Sequence, residues 1–226
     1  MKGGYFNVKY LIHTCNNRNW YVQEYLIPSM LEQGIAKDDI SVYLDVNNEG
    51  CLESCMKAFL SVPNDNNSTW HLQDDVIVCS DFKDMTEKFY SCDVVCGYCY
   101  AFDGNKDKVG YVTSKDMWYS FPCIKIPNKI ARKCANWYFN KVKRDDAYRL
   151  YVQSKRHDDT LFYMFMKDYF FDTIVLNLVP NIVDHVDYLI GGSITNKIRP
   201  EKETHAAHFT DSVIVENIEK KLRNNS

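Results

Sequence analysis

Two adjacent carboxylates, Asp74 and Asp75, have the residue types and the placement that favour chemistry. They closely follow the apolar run Trp70–Leu72, and Val76–Val78 comes directly after them. A buried strand that ends on acidic residues places them at the C-terminal edge of an open α/β sheet, where such sheets bind ligands. Paired carboxylates suit a hard divalent cation, which takes oxygen ligands and can bridge a diphosphate. The alternative is a solvated turn before a helix that Asp81 caps.

The residues that follow two other predicted strands are also polar. Val8–Thr14 and Ile40–Asp45 are typical of buried strands, and the turn after the first contains Arg18. In a doubly wound sheet, Thr14, Arg18 and Asp45 would share one crevice with the acidic pair. The arginine could bind a phosphate or a base edge, and Asp45 could bind the polar groups of a nucleoside. A surface arginine and a turn aspartate are the ordinary alternatives.

The order of strand and helix patterns predicts the fold class. Strand and helix alternate over about the first ninety residues, which favours a parallel, Rossmann-like α/β sheet. Later patterns predict a strand at Asp93–Tyr98, a strand-like aromatic region at Tyr111–Ile126, a helix from Asn128, a helix at Asp158–Tyr169 and a strand at Thr173–Val179.

Composition narrows the class of protein. Of 226 residues, 46% are hydrophobic and 14% aromatic, which is enough for a sizeable core. No apolar run approaches the ~18 residues of a membrane span, and the N-terminus lacks a signal-peptide pattern, so we expect no membrane association and a cytoplasmic location.

The nine cysteines have no spacing typical of a disulfide framework, which favours reduced thiols. Cys92, Cys96 and Cys99 fit core positions better than a zinc or redox site.

Residues 121–157 form a strongly basic block. They contain ten Lys or Arg against Asp145 and Asp146, a local formal charge of +8 in a chain of net charge −3. Aromatic residues such as Trp137 and Tyr148 are interleaved with these cations. Cations bind phosphates and aromatic rings stack on exposed bases, so the block favours a polyanionic partner such as DNA. A solvated helical face over core aromatics is the plain alternative.

Together these motifs resemble the glycosyltransferases of the GT-A fold, over roughly residues 8–195. Gln73–Val76 looks like the metal-binding "DxD" motif of that class, with Gln73 where the first acid usually stands. Val179–His185 is similar to the segment that supplies a histidine ligand, and Asp158-Asp159 matches an acidic pair at a later helix start. The resemblance implies a single GT-A domain at 1–200, with a mixed, mostly parallel sheet flanked by helices. It comprises a nucleotide-sugar-binding half (8–92) and an acceptor-binding, catalytic half (93–200), and a polar tail follows (201–226).

The resemblance also assigns roles to these residues. Asp75 and His185 are implied to bind Mn²⁺ or Mg²⁺, and a UDP-sugar is the expected donor. The implied nucleotide-sugar-binding residues are Thr14, Arg18, Asp45, Gln73 and Asp74. An inverting transfer needs a carboxylate to take the proton of the acceptor hydroxyl, and Asp158 or Asp159 is the candidate base. One of the two can cap the helix while the other faces the crevice, and the sequence leaves the choice open.

The basic block extends the resemblance to small bacteriophage-type glycosyltransferases that act on hydroxymethylated pyrimidines in DNA. Such an enzyme would work in the host cytoplasm and would have to reach or extrude the base. The expected acceptor-binding residues are Trp118, Lys125, Lys129, Arg132, Lys133 and Arg156.

Three alternatives remain at this point. A glycosyltransferase of the same kind could act on a glycan, a lipid-linked sugar or a protein hydroxyl. A non-catalytic DNA-binding accessory protein would use the acidic pair only structurally. A nucleotidyltransferase also uses strand-end acids and a cation, although the chain lacks an early Gly-rich phosphate loop.

Overall fold

Strands form where short apolar runs are bounded by polar turns. The structure is a computed structural model that describes residues 8–98, 110–114 (backbone only), 121–146, 158–179, 181–186 and 190. Its strands are β1 (Lys9–Cys15), β2 (Ile40–Asp45), β3 (Ser68–Gln73), β4 (Val76–Val78), β5 (Val94–Cys96), β6 (Gly110–Ser114), β7 (Cys123–Pro127), β8 (Val175–Val179) and β9 (Val183–His185). Trp118, Arg156 and the predicted polar tail at 201–226 lie outside these ranges.

The helices form where apolar residues recur at helical spacing. They are α1 (Asn19–Tyr21), a π-helical turn (Val22–Leu26), α2 (Ile27–Glu32), α3 (Cys51–Ser61), α4 (Phe82–Lys88), α5 (Asn128–Asn140) and α6 (Asp158–Tyr169). Pro28 lies in the first turn of α2, where a missing N–H is tolerated. The π-helical turn ends at Leu26, just before this turn begins. None of the helices in the described ranges is long and apolar enough to cross a membrane.

The predicted α/β fold with a mostly parallel sheet is confirmed. Within the described ranges, seven strands form one sheet in the order β2-β1-β3-β7-β5-β8-β6. β1 is parallel to both β2 and β3, and β5 is parallel to β8, while β7 and β6 run antiparallel to their neighbours. The strand predicted at Asp93–Tyr98 is therefore not beside β3, because β7 lies between them. Cys123 and Ile124 of β7 are fully buried on opposite faces, which places this strand at the centre of the sheet.

Helices cover both faces of the sheet and divide the core into two clusters. The side chains of β1 alternate between them: Tyr10 and Ile12 pack with the cluster under α1, α2 and α4, and Leu11 packs with the cluster under α3, α5 and α6. This period-2 alternation buries both faces of the central strands. It fixes the register, because a slip of one residue would exchange the two faces.

A small second sheet forms beyond the end of β3. β4 follows the acidic pair and is antiparallel to β9, with Val76 opposite His185. Gly97 ties this sheet to the main one: its N–H donates to the Cys123 carbonyl oxygen, and its own carbonyl oxygen accepts from the N–H of Ile182 (both 2.8 Å). A Cβ at Gly97 would lie 2.8 Å from Cys123 Sγ and 2.9 Å from Ile182 Cγ1, so this close approach requires glycine.

We expect Gly97→Ala to lower the free energy of unfolding by about 1–3 kcal/mol, because the added methyl group overpacks the contact with Cys123 and Ile182. Urea denaturation monitored by circular dichroism measures the change. Ser41→Thr, which also adds one carbon but at an exposed strand position, should stay within about 0.5 kcal/mol of the parent. Equal stability of the two variants would contradict the packing argument.

Candidate functional site

The parallel register brings three strand ends to one edge of the sheet. Cys15 of β1 pairs with Asp45 of β2, and His13 of β1 pairs with Gln73 of β3. The polar residues that follow these strands therefore lie side by side, as the sequence predicted. This edge is the C-terminal one, where open α/β sheets bind their ligands.

Arg18 lies between the two carboxylates of the acidic pair. Its Nη1 atom is 2.7 Å from Asp75 Oδ2 and 3.1 Å from Asp74 Oδ1. The turn after β1 brings the guanidinium there, because the Arg18 N–H donates to the Cys15 carbonyl oxygen (3.1 Å). All three side chains are buried. A buried ion pair of this kind is held strongly, since loss of one partner would leave an uncompensated charge.

The two carboxylates differ in electrostatic environment. Burial and the neighbouring charge of Asp75 raise the pKa of Asp74 to about 6. Burial also disfavours the charged form of Asp75, but His185 and Arg18 outweigh it and lower the pKa of Asp75 well below its usual range. Burial likewise opposes the charge of Arg18, and the charges of Asp75 and Asp74 overcome it and raise the pKa of Arg18. Asp75 is therefore the firmly ionised member of the pair.

His185 joins the site through the β4–β9 sheet. Its Nε2 atom is 3.1 Å from Asp75 Oδ2. The backbone reinforces the placement, because the N–H of Val186 donates to the Asp75 carbonyl oxygen (2.7 Å). The ring of Tyr98 lies 6.2 Å from the imidazole. The sequence prediction that a late histidine meets the acidic pair thus has a geometric basis.

Thr14 and Asp45 also lie at this edge. Thr14 is buried and its hydroxyl donates to the Cys15 carbonyl oxygen (3.3 Å), while the N–H of Cys15 donates to Asp74 Oδ2 (3.3 Å). Asp45 is 5% exposed at the end of β2, one strand further out. These positions leave Asp45 beside the acidic pair without contact to it.

Asp158 is connected to the acidic pair through Gln73. The Gln73 Nε2 atom donates to Asp158 Oδ2 at 3.2 Å, so the first residue of α6 reaches the end of β3. Burial and the nearby charge of Asp158 raise the pKa values of the Cys51 and Cys55 thiols, which lie one helical turn apart on α3. Burial and the charge of Asp159 raise the pKa of Asp158 to about 6. A buried carboxylate with a pKa near neutrality is suited to general base catalysis.

Asp159 makes local contacts instead. Its Oδ1 atom accepts a hydrogen bond from the N–H of Thr160 at 2.6 Å. Asp158 Oδ1 similarly accepts from the N–H of Asp159 at 3.0 Å. Both acids thus engage the first turn of α6, but Asp158 is the one whose second oxygen faces Gln73. The structure therefore distinguishes two residues that the sequence could not.

The side chains at this edge could bind a cation whose remaining coordination positions are filled by a bound ligand. Across the described ranges, no group of three or more His, Cys, Asp or Glu side chains converges as a metal site. Asp75 and His185 are nevertheless in direct contact, and Asp75 Oδ1 is buried without a hydrogen-bond partner among the described residues. Mg²⁺ is commonly held by one or two carboxylates together with water and substrate phosphates. The residues present therefore fit a two-ligand site that a diphosphate completes.

Two of the expected acceptor-binding residues have structural roles. Lys125 is fully buried, donates to the carbonyl oxygens of Tyr90 and Cys92, and has its pKa lowered to about 8 by burial. Arg132 donates to the carbonyl oxygen of Val62 at 2.9 Å and to that of the nearby Leu60. These placements correct the sequence prediction, because neither cation is directed at an acceptor.

The start of α5 lies at the wrong edge of the sheet for an acceptor site. β7 is antiparallel to β3, and its last residue, Pro127, pairs with Ser68 at the beginning of β3. Lys129 and Lys133 are exposed but follow this far edge, roughly 17 Å along β3 from Gln73. Both lysines therefore lie away from the acidic pair, and their assignment to the acceptor stays a prediction.

The end of α5 returns towards the site and carries cations that sequence reasoning did not select. Lys143 contacts Glu53 in the first turn of α3 (Nζ to Oε1, 2.7 Å), and α3 begins at the same edge as the acidic pair. Lys141 and Arg144 flank this contact and are exposed. Cys51 and Cys55 were missed as well. Their helical spacing was visible in the sequence, but nothing there indicated that they face Asp158.

No protein-family model and no curated protein matches the chain. Among solved structures, the chain is similar to A197 from STIV, with 15% identity, a TM-score of 0.40 and coverage of 79% of this chain and 85% of that one. It is also similar to mouse xyloside xylosyltransferase 1 in its apo form (7% identity, TM-score 0.38, 72% and 82% covered) and to HddC from Yersinia pseudotuberculosis (9%, 0.30, 56% and 79%). Similarity at this level carries no argument about function, which rests on the site geometry.

We expect Asp158→Asn to stabilise the protein at neutral pH but not in acid. The pKa of Asp158 is raised to about 6 in the folded state, so the protonated carboxyl does not destabilise the fold below pH ~4. As the pH rises from ~4 to about 6, ionisation of the buried carboxyl progressively destabilises the fold. The gain should reach at most about 3 kcal/mol above pH 7. Urea denaturation of both proteins at pH 4 and pH 7.5 measures it. A stability difference that does not change with pH would contradict the assigned environment.

Proposed function

We propose that the protein is a glycosyltransferase that moves a sugar from a nucleoside diphosphate sugar to an acceptor hydroxyl. The observation that carries this proposal is the meeting of Arg18, Asp75 and His185 at the C-terminal edge of the sheet, with Asp158 reaching the same edge through Gln73. A cation-binding group and a separate carboxylate of raised pKa are the two chemical elements that the transfer requires.

The donor is proposed to bind across the ends of β1, β2 and β3. Thr14 lies near the end of β1 and Arg18 in the turn after it, and both can bind the diphosphate, for which a guanidinium offers paired donors. Asp45 is the last residue of β2 and can accept hydrogen bonds from the nucleoside. Asp75 and His185 would hold Mn²⁺ or Mg²⁺. When bound, such an ion neutralises the charge that develops on the leaving diphosphate.

Asp158 is proposed to act as the base. In an inverting transfer, the acceptor oxygen forms a bond to the anomeric carbon while the bond from that carbon to the diphosphate oxygen breaks. The acceptor proton passes to the Asp158 carboxylate, which a pKa of about 6 leaves ionised at neutral pH. Gln73 and the N–H of Asp159 orient the carboxylate through hydrogen bonds.

DNA with a hydroxymethylated pyrimidine remains our predicted acceptor, and a glycan or protein hydroxyl remains the alternative. The positive charge of residues 121–157 supports DNA. The exposed cations at the end of α5, Lys141 and Arg144, are better placed than those at its start, because that end returns to the edge that carries the acidic pair. They would contact phosphates and position the strand without reading its sequence.

We expect a nucleoside diphosphate to raise the melting temperature of the protein in a Mn²⁺-dependent manner. At about 100 times Kd, a ligand adds ~2.7 kcal/mol of stability. A thermal-shift panel of UDP, GDP and CDP, each with and without Mn²⁺, identifies the nucleotide. Asp75→Asn should abolish the Mn²⁺-dependent part, whereas Asp84→Asn, at an exposed position on α4, should retain it. Absence of any shift would leave the DNA-binding accessory protein as the better interpretation.

We expect affinity for duplex DNA to fall linearly with salt on logarithmic axes, because phosphate contacts release counterions. Lys141→Glu with Arg144→Glu should weaken binding and make the slope shallower by about one for each lost contact. Fluorescence anisotropy at several salt concentrations measures both. Lys37→Glu with Lys88→Glu, an equal charge change at exposed sites elsewhere, is the control. Equal losses in the two double variants would contradict an acceptor site at the end of α5.

A further inference from the structure

One guanidinium occupies the position from which a cation would bridge the acidic pair. Arg18 Nη1 contacts Asp75 Oδ2 at 2.7 Å and Asp74 Oδ1 at 3.1 Å. His185 Nε2 contacts the same Oδ2 atom at 3.1 Å. The Asp75 oxygen that contacts the histidine is therefore also in contact with a positive side chain.

This arrangement accounts for the incomplete ligand set of the site. Asp74 is directed at Arg18 rather than at His185, and no three metal-binding side chains converge in the described part of the chain. The other oxygen of Asp75 is buried without a hydrogen-bond partner among the described residues. A divalent ion placed beside Arg18 would meet strong like-charge repulsion in a buried environment. The contact between Arg18 and the acidic pair thus opposes cation binding.

A diphosphate changes this balance. It offers Arg18 an alternative anionic partner with the paired geometry that a guanidinium prefers. When Arg18 turns to the phosphate, the acidic pair loses its counter-charge and attracts another cation. Ordinary coupling between two binding events of this kind amounts to a change in affinity of about 5- to 150-fold, and it is reciprocal.

We propose that Arg18 acts as an internal cation that closes the metal site until a diphosphate binds, so that the divalent cation and the donor bind in a coupled manner. This inference rests on the proposed function, because it takes the diphosphate of the donor as the partner that draws Arg18 away. It goes beyond that function by proposing that Arg18 makes the affinity for the cation depend on whether the donor is bound.

Mn²⁺ binding tests the proposal without an activity assay. Equilibrium dialysis of the full chain measures bound Mn²⁺ with no nucleotide and with each of UDP, GDP and CDP, corrected by protein-free samples. For the parent protein, we expect weak Mn²⁺ binding alone and about tenfold or tighter binding with one nucleotide. Arg18→Gln should bind Mn²⁺ about tenfold more tightly than the parent when no nucleotide is present. Arg18→Lys, which keeps a cation beside the pair, should resemble the parent.

Two controls separate this effect from a general change in charge. Lys9→Gln removes a cation from Asp39 at the opposite end of β1 and should leave Mn²⁺ binding unchanged. Arg18→Gln combined with Asp75→Asn should lose the gained affinity, which assigns the bound ion to this site. Because Arg18→Gln removes a buried partner and can impair folding, the nucleotide dependence in the parent protein tests the proposal without any variant.

The outcomes distinguish the two proposals. Equal Mn²⁺ affinity of the parent and Arg18→Gln, with no dependence on nucleotide, would overturn the role of Arg18 and leave the glycosyltransferase proposal intact. Absence of Mn²⁺ binding to the parent with every nucleoside diphosphate would overturn the cation-dependent donor site itself, and the inference with it. Nucleotide-dependent binding in the parent together with nucleotide-independent binding in Arg18→Gln supports both.

Discussion

Compensation of buried charge at the Asp74–Asp75 pair is the constraint on which the rest of the site depends. Two adjacent carboxylates in a buried place are destabilised by lost hydration and by mutual repulsion. Arg18 provides the opposite charge at 2.7 and 3.1 Å, and the surrounding elements are arranged to bring it there. The turn after β1 must present the arginine, β3 must end at Gln73, and β9 must pair with β4 to add His185. The ends of β1, β3 and β9 thus meet at one group of charged side chains.

The site separates two carboxylates with opposite electrostatic properties, which is the physical basis of the proposed transfer. Asp75 is held ionised by Arg18 and His185, whereas burial gives Asp158 a pKa of about 6. Differences of this kind are how one fold assigns a charge-binding role and a proton-accepting role to the same residue type. Gln73 connects the two, since it precedes the acidic pair in sequence and donates to Asp158. Gln73 thus has a structural role between the two acidic groups.

The central antiparallel strand decides what the basic block can do. Because β7 runs opposite to β3, the helix that follows it begins at the far edge of the sheet and returns towards the site only at its end. The side chains of Lys125 and Arg132 donate hydrogen bonds to backbone carbonyl oxygens of the protein itself. Of the cations in the described part of the block, Lys125 and Arg132 therefore do not contribute to a basic surface beside the acidic pair.

The sequence by itself determined the fold class, the first three strands and the identity of the acidic edge. Hydrophobic alternation and the polar residues after each strand are local signals, and parallel strands necessarily bring their ends to one edge. It did not determine that Asp158 rather than Asp159 faces Gln73, that Cys51 and Cys55 lie near Asp158, or that Lys125 is buried. Those facts depend on strand direction, on strand order and on which face of a helix meets a distant element. They are consequences of long-range packing, which residue type and spacing along the chain do not encode, so only the tertiary structure decided them.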